Sequence, residues 1–150
     1  MPHSLTYIRI HLIFSTKDRK PLILDSFETK LYNHIKAKFT NEFDSFVEAI
    51  GGANDHIHIL FNHSPNHTLM DIVKSIKGES SHWVNENNFL EEKFTWQPGY
   101  SAFSISIDKV SIVKSYIESQ KEHHKKILFL DEIKKFLKIY GFDEKTVETV

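Results

Sequence analysis

The chain has 150 residues, 40% hydrophobic and 26% charged, with 12 Phe to fill an interior, which fits a single globular domain spanning 1–150. No cysteine is present, so disulfides, thiolate zinc sites and cysteine nucleophiles are excluded. A formal net charge of -1 gives no global pull toward nucleic acid or membrane, and any DNA contact must come from basic residues gathered on one surface.

The N-terminal MPHSLTYIRIHLIF lacks the basic start, long apolar segment and small-residue cleavage site of a secretory signal, and no later segment approaches the ~20 apolar residues of a membrane span. The expectation is a cytoplasmic protein without membrane attachment. From Tyr7 to Phe14 apolar residues alternate, with Ile8, Ile10, Leu12 and Phe14 on one side and Tyr7, Arg9, His11 and Ile13 on the other, a strand with one well-buried face. After the loop STKDRKP, the spacing of Phe27, Leu31, Ile35 and Phe39 predicts a helix, with Asp25 or Ser26 as its cap. Phe43 to Ile50 reads as a second strand, Gly51-Gly52 as a turn, and His56 to Phe61 as a third strand.

Pro65 separates that strand from a second helix, whose apolar stripe is Leu69, Ile72, Val73, Ile76, Trp83 and Val84 and whose Gly78 predicts a weak point. Ala102 to Ile107 is a fourth strand with Phe103, Ile105 and Ile107 on the buried side. Two more helices follow, from about Lys109 to His124 and from about Leu130 to Tyr140, with Gly141 suited to end the second. The order β-α-β-β-α-β-α-α predicts an α+β fold: a ferredoxin-like, RRM-like sandwich in which two helices cover the apolar face of a four-stranded antiparallel sheet. On the third strand Ile57, Ile59 and Phe61 then enter the core. His56 and His58 fall on the opposite face, with Tyr7, Arg9 and His11 of the first strand.

Two imidazoles at alternate strand positions lie about 6 to 7 Å apart and can converge on one ion. With 10 His in the chain, however, one His-x-His pair is within the reach of chance, and the polar side of an ordinary strand reads the same way. On the predicted helix KSYIESQKEHH, Tyr116 and Gln120 are four apart and share a face, with His123 and His124 one turn further. A packing tyrosine, a surface glutamine and a solvated helix end are the alternatives for these residues.

Five segments in order, HLIFSTKDRKP, IGGANDHIHIL, IVKSIKGESSHWVNE, FTWQPGYSAFSIS and YIESQKEHH, carry a resemblance. The chain resembles the single-tyrosine HUH transposases of small bacterial insertion sequences, the transposase-A type, and their relatives associated with repetitive extragenic palindromes. The resemblance implies that Tyr116 is a nucleophile and that His56, His58 and Gln120 bind a divalent metal, Mg²⁺ or Mn²⁺. It implies cleavage of single-stranded DNA next to hairpins, with a 5′-phosphotyrosine intermediate and a free 3′-hydroxyl. A phenol with an ordinary pKa near ~10 needs such electrophilic help at neutral pH. Rejoining would need no nucleotide, and no GxxxxGK[ST] loop is present. The family also implies a homodimer whose two sheets join, with the tyrosine helix serving either its own or the partner subunit's histidines.

DNA contacts are expected from Arg9 and His11 on the first strand, Lys17, Arg19 and Lys20 in the first loop, Lys74 and Lys77 on the second helix, and Lys121, Lys125 and Lys126 beyond the tyrosine. Trp96 and Tyr100 could stack on an unpaired base or belong to the core. The short stretch after Gly141 leaves little room for another DNA-binding tail, which favours the insertion-sequence type over the repeat-associated branch. One rival reading is a domesticated or non-catalytic single-stranded nucleic-acid-binding module on the same scaffold. The other is a zinc hydrolase using His56 and His58 with His63 or His67, although no HExxH occurs.

Overall fold

The computed structural model describes residues 4–123 and 129–139. Strand β1 (Arg9–Ser15) follows the predicted alternation, beginning two residues later than expected and leaving Ile8 exposed ahead of it. Ile10, Leu12 and Phe14 enter one core, while Ile13 enters a second on the opposite face. Helix α1 (Glu28–Phe43) buries Leu31, Ile35, Phe39 and Phe43 at fourfold spacing. Neither Asp25 nor Ser26 caps it. The helix starts after Phe27 without a side-chain cap, because a backbone turn brings the N–H groups of Phe27 and Glu28 onto the carbonyl of Leu24.

Phe43 belongs to α1 rather than to a strand, and Asp44, in the left-handed region at φ 49°, ends the helix. Strand β2 is Val47–Gly52, and strand β3 is His56–Asn62. Gly51 and Gly52 are therefore strand residues, paired with His58 and Ile57, and the turn lies between them and His56. Helix α2 (Leu69–Glu86) starts at Thr68, whose hydroxyl accepts the Asp71 N–H at 3.1 Å. It runs unbroken through Gly78. That glycine faces open space and costs about 1 kcal/mol relative to alanine, which burial of Ile72, Val73, Ile76 and Val84 more than offsets. Trp96 is core: its ring packs edge-on to Phe14 and its indole N–H donates to Ser80 Oγ at 3.0 Å. Tyr100 stays partly exposed.

Strand β4 is Ser101–Ile105, two residues shorter at its end than predicted. The chain leaves the sheet in a 3-10 turn at Ile107–Lys109, and Ile107, expected on the buried side, is 71% exposed. The four strands form one antiparallel sheet in the order β2-β3-β1-β4, the α+β architecture expected. Helices α1 and α2 cover one face. The other face is not open: α3 (Val110–Glu118), α4 (Gln120–His123) and α5 (Phe129–Ile139) follow β4, and Ile117 and Ile133 join Ile13, Ala49, Leu60, Phe103 and Ile105 in the second core. Every residue of β3 from His56 to Phe61 is consequently buried.

The single helix predicted to about His124 is instead two, broken at Ser119, which lies outside helical geometry while its hydroxyl donates to the Ser115 carbonyl at 2.9 Å. Tyr140, Gly141, Lys125, Lys126 and His124 lie outside the described residues, as does the side chain of His123. Among the described residues no helix is long and apolar enough to cross a membrane.

Candidate active site

The histidines of β3 are held from behind. His56 Nδ1 lies 2.7 Å from Asp55 Oδ1, and a carboxylate can only accept, so His56 donates from Nδ1 and points Nε2 the other way. That Nε2 faces Gln120 Oε1 at 3.2 Å. The orientation of the amide is set by its NH₂ group, which donates to the Tyr116 carbonyl at 3.4 Å. The two side chains meet in a space closed to water, with His56 0% and Gln120 1% exposed.

His58 is held by different partners. Its Nδ1 lies 2.8 Å from His11 Nε2 and its own Nε2 is 2.6 Å from Glu132 Oε1. A carboxylate can only accept, so His58 presents Nε2–H to Glu132 and its Nδ1 to His11. Burial, then the charge of His58, holds His11 well below the ordinary imidazole range despite an opposing pull from Glu132. His11 therefore lies inside the site, fully buried, and is not available as the surface DNA contact that its strand alternation suggested.

Tyr116 projects from α3 onto these rings, 5.6 Å from His58 and 6.5 Å from His11 between ring centroids. Its pKa is pushed up, first by burial and then by the hydrogen bond and charge of Glu132, with a smaller opposing effect from Gln120. The sequence spacing placed Tyr116 and Gln120 on one helix. The structure puts Gln120 at the start of α4, past the break, and still brings both to the histidines. Lys121 pins α4 to α1 through Glu28 at 2.8 Å and Asp25 at 3.6 Å. Glu132, missed in the sequence, arrives from α5, where its neighbour Ile133 is buried in the second core. Donor atoms of His56, His58 and Glu132 all lie within 4.8 Å of one another.

The close approach of the tyrosine helix depends on Gly51, the cross-strand partner of His58. A Cβ at residue 51 would collide with the carbonyl oxygen of Ile117, one residue past the tyrosine. Gly51→Ala is expected to destabilise the fold by roughly 1–3 kcal/mol through overpacking against helix backbone. It should also move Tyr116 away from the His11 and His58 rings. Thermal unfolding and a structure of the variant check this, and an unmoved Tyr116 would remove Gly51 from the positioning of α3.

A family model for IS200-like transposases matches residues 4–120, most of the chain and every element from β1 through α3. The chain belongs to the IS200-like transposase family. A curated relative, the ISDra2 transposase TnpA of Deinococcus radiodurans, is 31% identical over 71 residues, 44% of this chain and 51% of that protein. The match thus spans about half the length of that relative. A crystal structure of a Deinococcus radiodurans R1 protein described as a transposase superposes with a TM-score of 0.64 at 24% identity, covering 80% of this chain and 95% of that one. A tyrosine transposase associated with REP sequences, solved bound to a REP hairpin, gives a TM-score of 0.63 at 14% identity, covering 85% and 76%. At these identities the two solved structures speak to the fold.

In this IS200-like chain the basic residues predicted for DNA divide into two sets. Lys17, Lys20 and Lys74 are exposed, with Lys20 3.9 Å from Glu92, and Arg19 is half-buried. Three more of the described ones are engaged within the chain. Arg9 pairs with Glu48 and lies over the Tyr7 ring, and Lys121 is the α1–α4 link. Lys77 donates to the carbonyls of Gln97 and Gly99, both at 2.7 Å, and burial lowers its pKa. His63 and His67, considered for a zinc hydrolase, contact each other's segment through a 2.8 Å bond from His63 Nε2 to the His67 carbonyl.

Proposed function

We propose that this IS200-like transposase acts as one catalytic domain that cleaves and rejoins single-stranded DNA at hairpin-flanked ends of an insertion sequence. Tyr116 is the nucleophile. The observation that carries the reading is the meeting of Tyr116, Gln120, His56 and His58, from three separate elements, in one buried cluster. In the cleavage step the Tyr116 oxygen bonds to phosphorus and the bond from phosphorus to the 3′ oxygen breaks. The phenol gives up its proton, and the 3′ oxygen leaves as a hydroxyl. A 3′-hydroxyl attacking the phosphotyrosine reverses the balance and rejoins the strand without a nucleotide.

The donor set fits a divalent cation, Mg²⁺ or Mn²⁺: once unprotonated, His56 Nε2 and His58 Nε2 can each give a lone pair, and Gln120 Oε1 lies 3.2 Å from the first. When bound, the ion would supply a Lewis acid that withdraws charge from the phosphate under attack. Asp55 and His11 orient the two imidazoles, and Gln120 ties the site to the backbone of Tyr116. Burial, then Glu132, raise the Tyr116 pKa and so favour the protonated phenol in the free chain.

Exposed Lys17, Lys20 and Lys74 are proposed phosphate contacts, with Arg19 beside them. The hairpin is the proposed partner because the REP-associated neighbour was solved with one. The reading also carries a homodimer joined through sheet edges, for which the outer edges of β2 and β4 are the two choices, and a cytoplasmic location. Tyr116 lies on the histidines of its own chain, which supports assembly in cis. The test is incubation with labelled single-stranded hairpin DNA and Mn²⁺ or Mg²⁺, followed by denaturing electrophoresis. A denaturation-resistant protein–DNA adduct is expected. Hairpin binding without an adduct would instead favour a domesticated, non-catalytic binding module.

A further inference from the structure

We propose that Glu132 on α5 completes the metal centre as an anionic fourth ligand, so that the C-terminal helix belongs to the site rather than to its packing. The proposal rests on the metal reading above and adds a residue beyond the segment 4–120 that carries the family match. Glu132 is 1% exposed, its Oε1 lies 2.6 Å from His58 Nε2, and its donor atom falls within 4.8 Å of those of both histidines. A carboxylate withdrawn from water costs several kcal/mol unless a cation lies against it. The atoms that meet are all of metal-ligating type: Nε2 of His56 with Oε1 of Gln120 at 3.2 Å, and Nε2 of His58 with Oε1 of Glu132 at 2.6 Å. A divalent cation would take all four as ligands, displacing the protons that the two contacts otherwise share.

The carboxylate also changes which ion the site prefers. Two imidazoles and an amide are neutral donors that suit a softer ion such as Zn²⁺, whereas a carboxylate adds the hard, anionic oxygen that Mg²⁺ and Mn²⁺ require. One negative charge against a divalent ion leaves net positive charge for a DNA phosphate. His58, which Glu132 contacts, packs against the Tyr116 ring, so one chain of contacts links the ligand set to the nucleophile.

The test is a Mn²⁺ titration of the full chain without DNA, read by calorimetry or by the electron paramagnetic resonance signal of free Mn²⁺. Wild type should bind one Mn²⁺, and Glu132→Gln should weaken it by roughly 10- to 100-fold or more. Zn²⁺ affinity should fall less than Mn²⁺ affinity in Glu132→Gln, a change of preference that a purely structural role would not produce. Glu132→Asp, which keeps the charge, should recover part of the Mn²⁺ affinity, and circular dichroism in chelator shows that the variants fold. If Glu132→Gln binds Mn²⁺ like wild type while His56→Ala does not, Glu132 is no ligand although the metal reading stands. If folded wild type binds no Mn²⁺, both fail together.

Discussion

Tyr116→Phe is expected to lower covalent adduct formation and strand cleavage by at least about 10³-fold, while hairpin affinity stays within about twofold of wild type. The substitution removes one oxygen and keeps the ring that packs against His11 and His58. Stability should change by only about 1 kcal/mol, because the lost group is a single hydroxyl. A structural tyrosine would give a different pattern, with modest effects on stability and cleavage alike. An adduct that persists in Tyr116→Phe would move the nucleophile to another residue.

His56→Ala should likewise bring cleavage below detection in Mg²⁺ or Mn²⁺, and here the reason is the ligand set rather than the nucleophile. His56 is fully buried and joins Asp55 on one side to Gln120 on the other, so its removal opens a cavity and strands both partners. A loss of roughly 2–4 kcal/mol in stability is expected. Loss of fold is separated from loss of metal by a second readout. Saturating Mn²⁺ at 100 times its Kd should stabilise wild type by about 2.7 kcal/mol and leave His56→Ala unmoved. Cleavage retained in this variant, or an equal rise in Tm on adding Mn²⁺, would remove His56 from the metal centre.

Much of the fold was legible because alternation in β1 and β3 and the fourfold apolar spacing in α1 are direct imprints of strand and helix geometry. The tyrosine, glutamine and paired histidines were legible through five ordered segments, not through spacing alone. What escaped follows from the second face of the sheet. His11 was read as a surface residue because alternation says which side of a strand a residue takes and nothing about what covers that side; α3 and α5 cover it. Gly51 was read as a turn residue because glycine pairs usually mark turns. Its actual role is to leave room for the Ile117 carbonyl across the sheet, a long-range contact invisible in the local sequence.

Glu132 left one trace. Helical spacing places it three residues after Phe129 and four before Phe136, an acid on an otherwise apolar side of FLDEIKKFL. Such an acid asks for a buried partner, and His58 could be named only once the helix was placed. Asp55 sat in plain view before the HIH pair, but a residue next to a proposed ligand gains meaning only when its side chain is seen to turn back onto the imidazole.

The central claim, that Tyr116 bonds directly to DNA phosphorus, is tested most directly by trapping the wild-type adduct on single-stranded hairpin DNA. The adduct is digested with protease and nuclease, and the modified peptide is sequenced by tandem mass spectrometry. The account predicts a nucleotide 5′-phosphate on the Tyr116 oxygen and a released fragment ending in a 3′-hydroxyl; a nucleotide on any other residue, or a linkage through a 3′-phosphate, would contradict it.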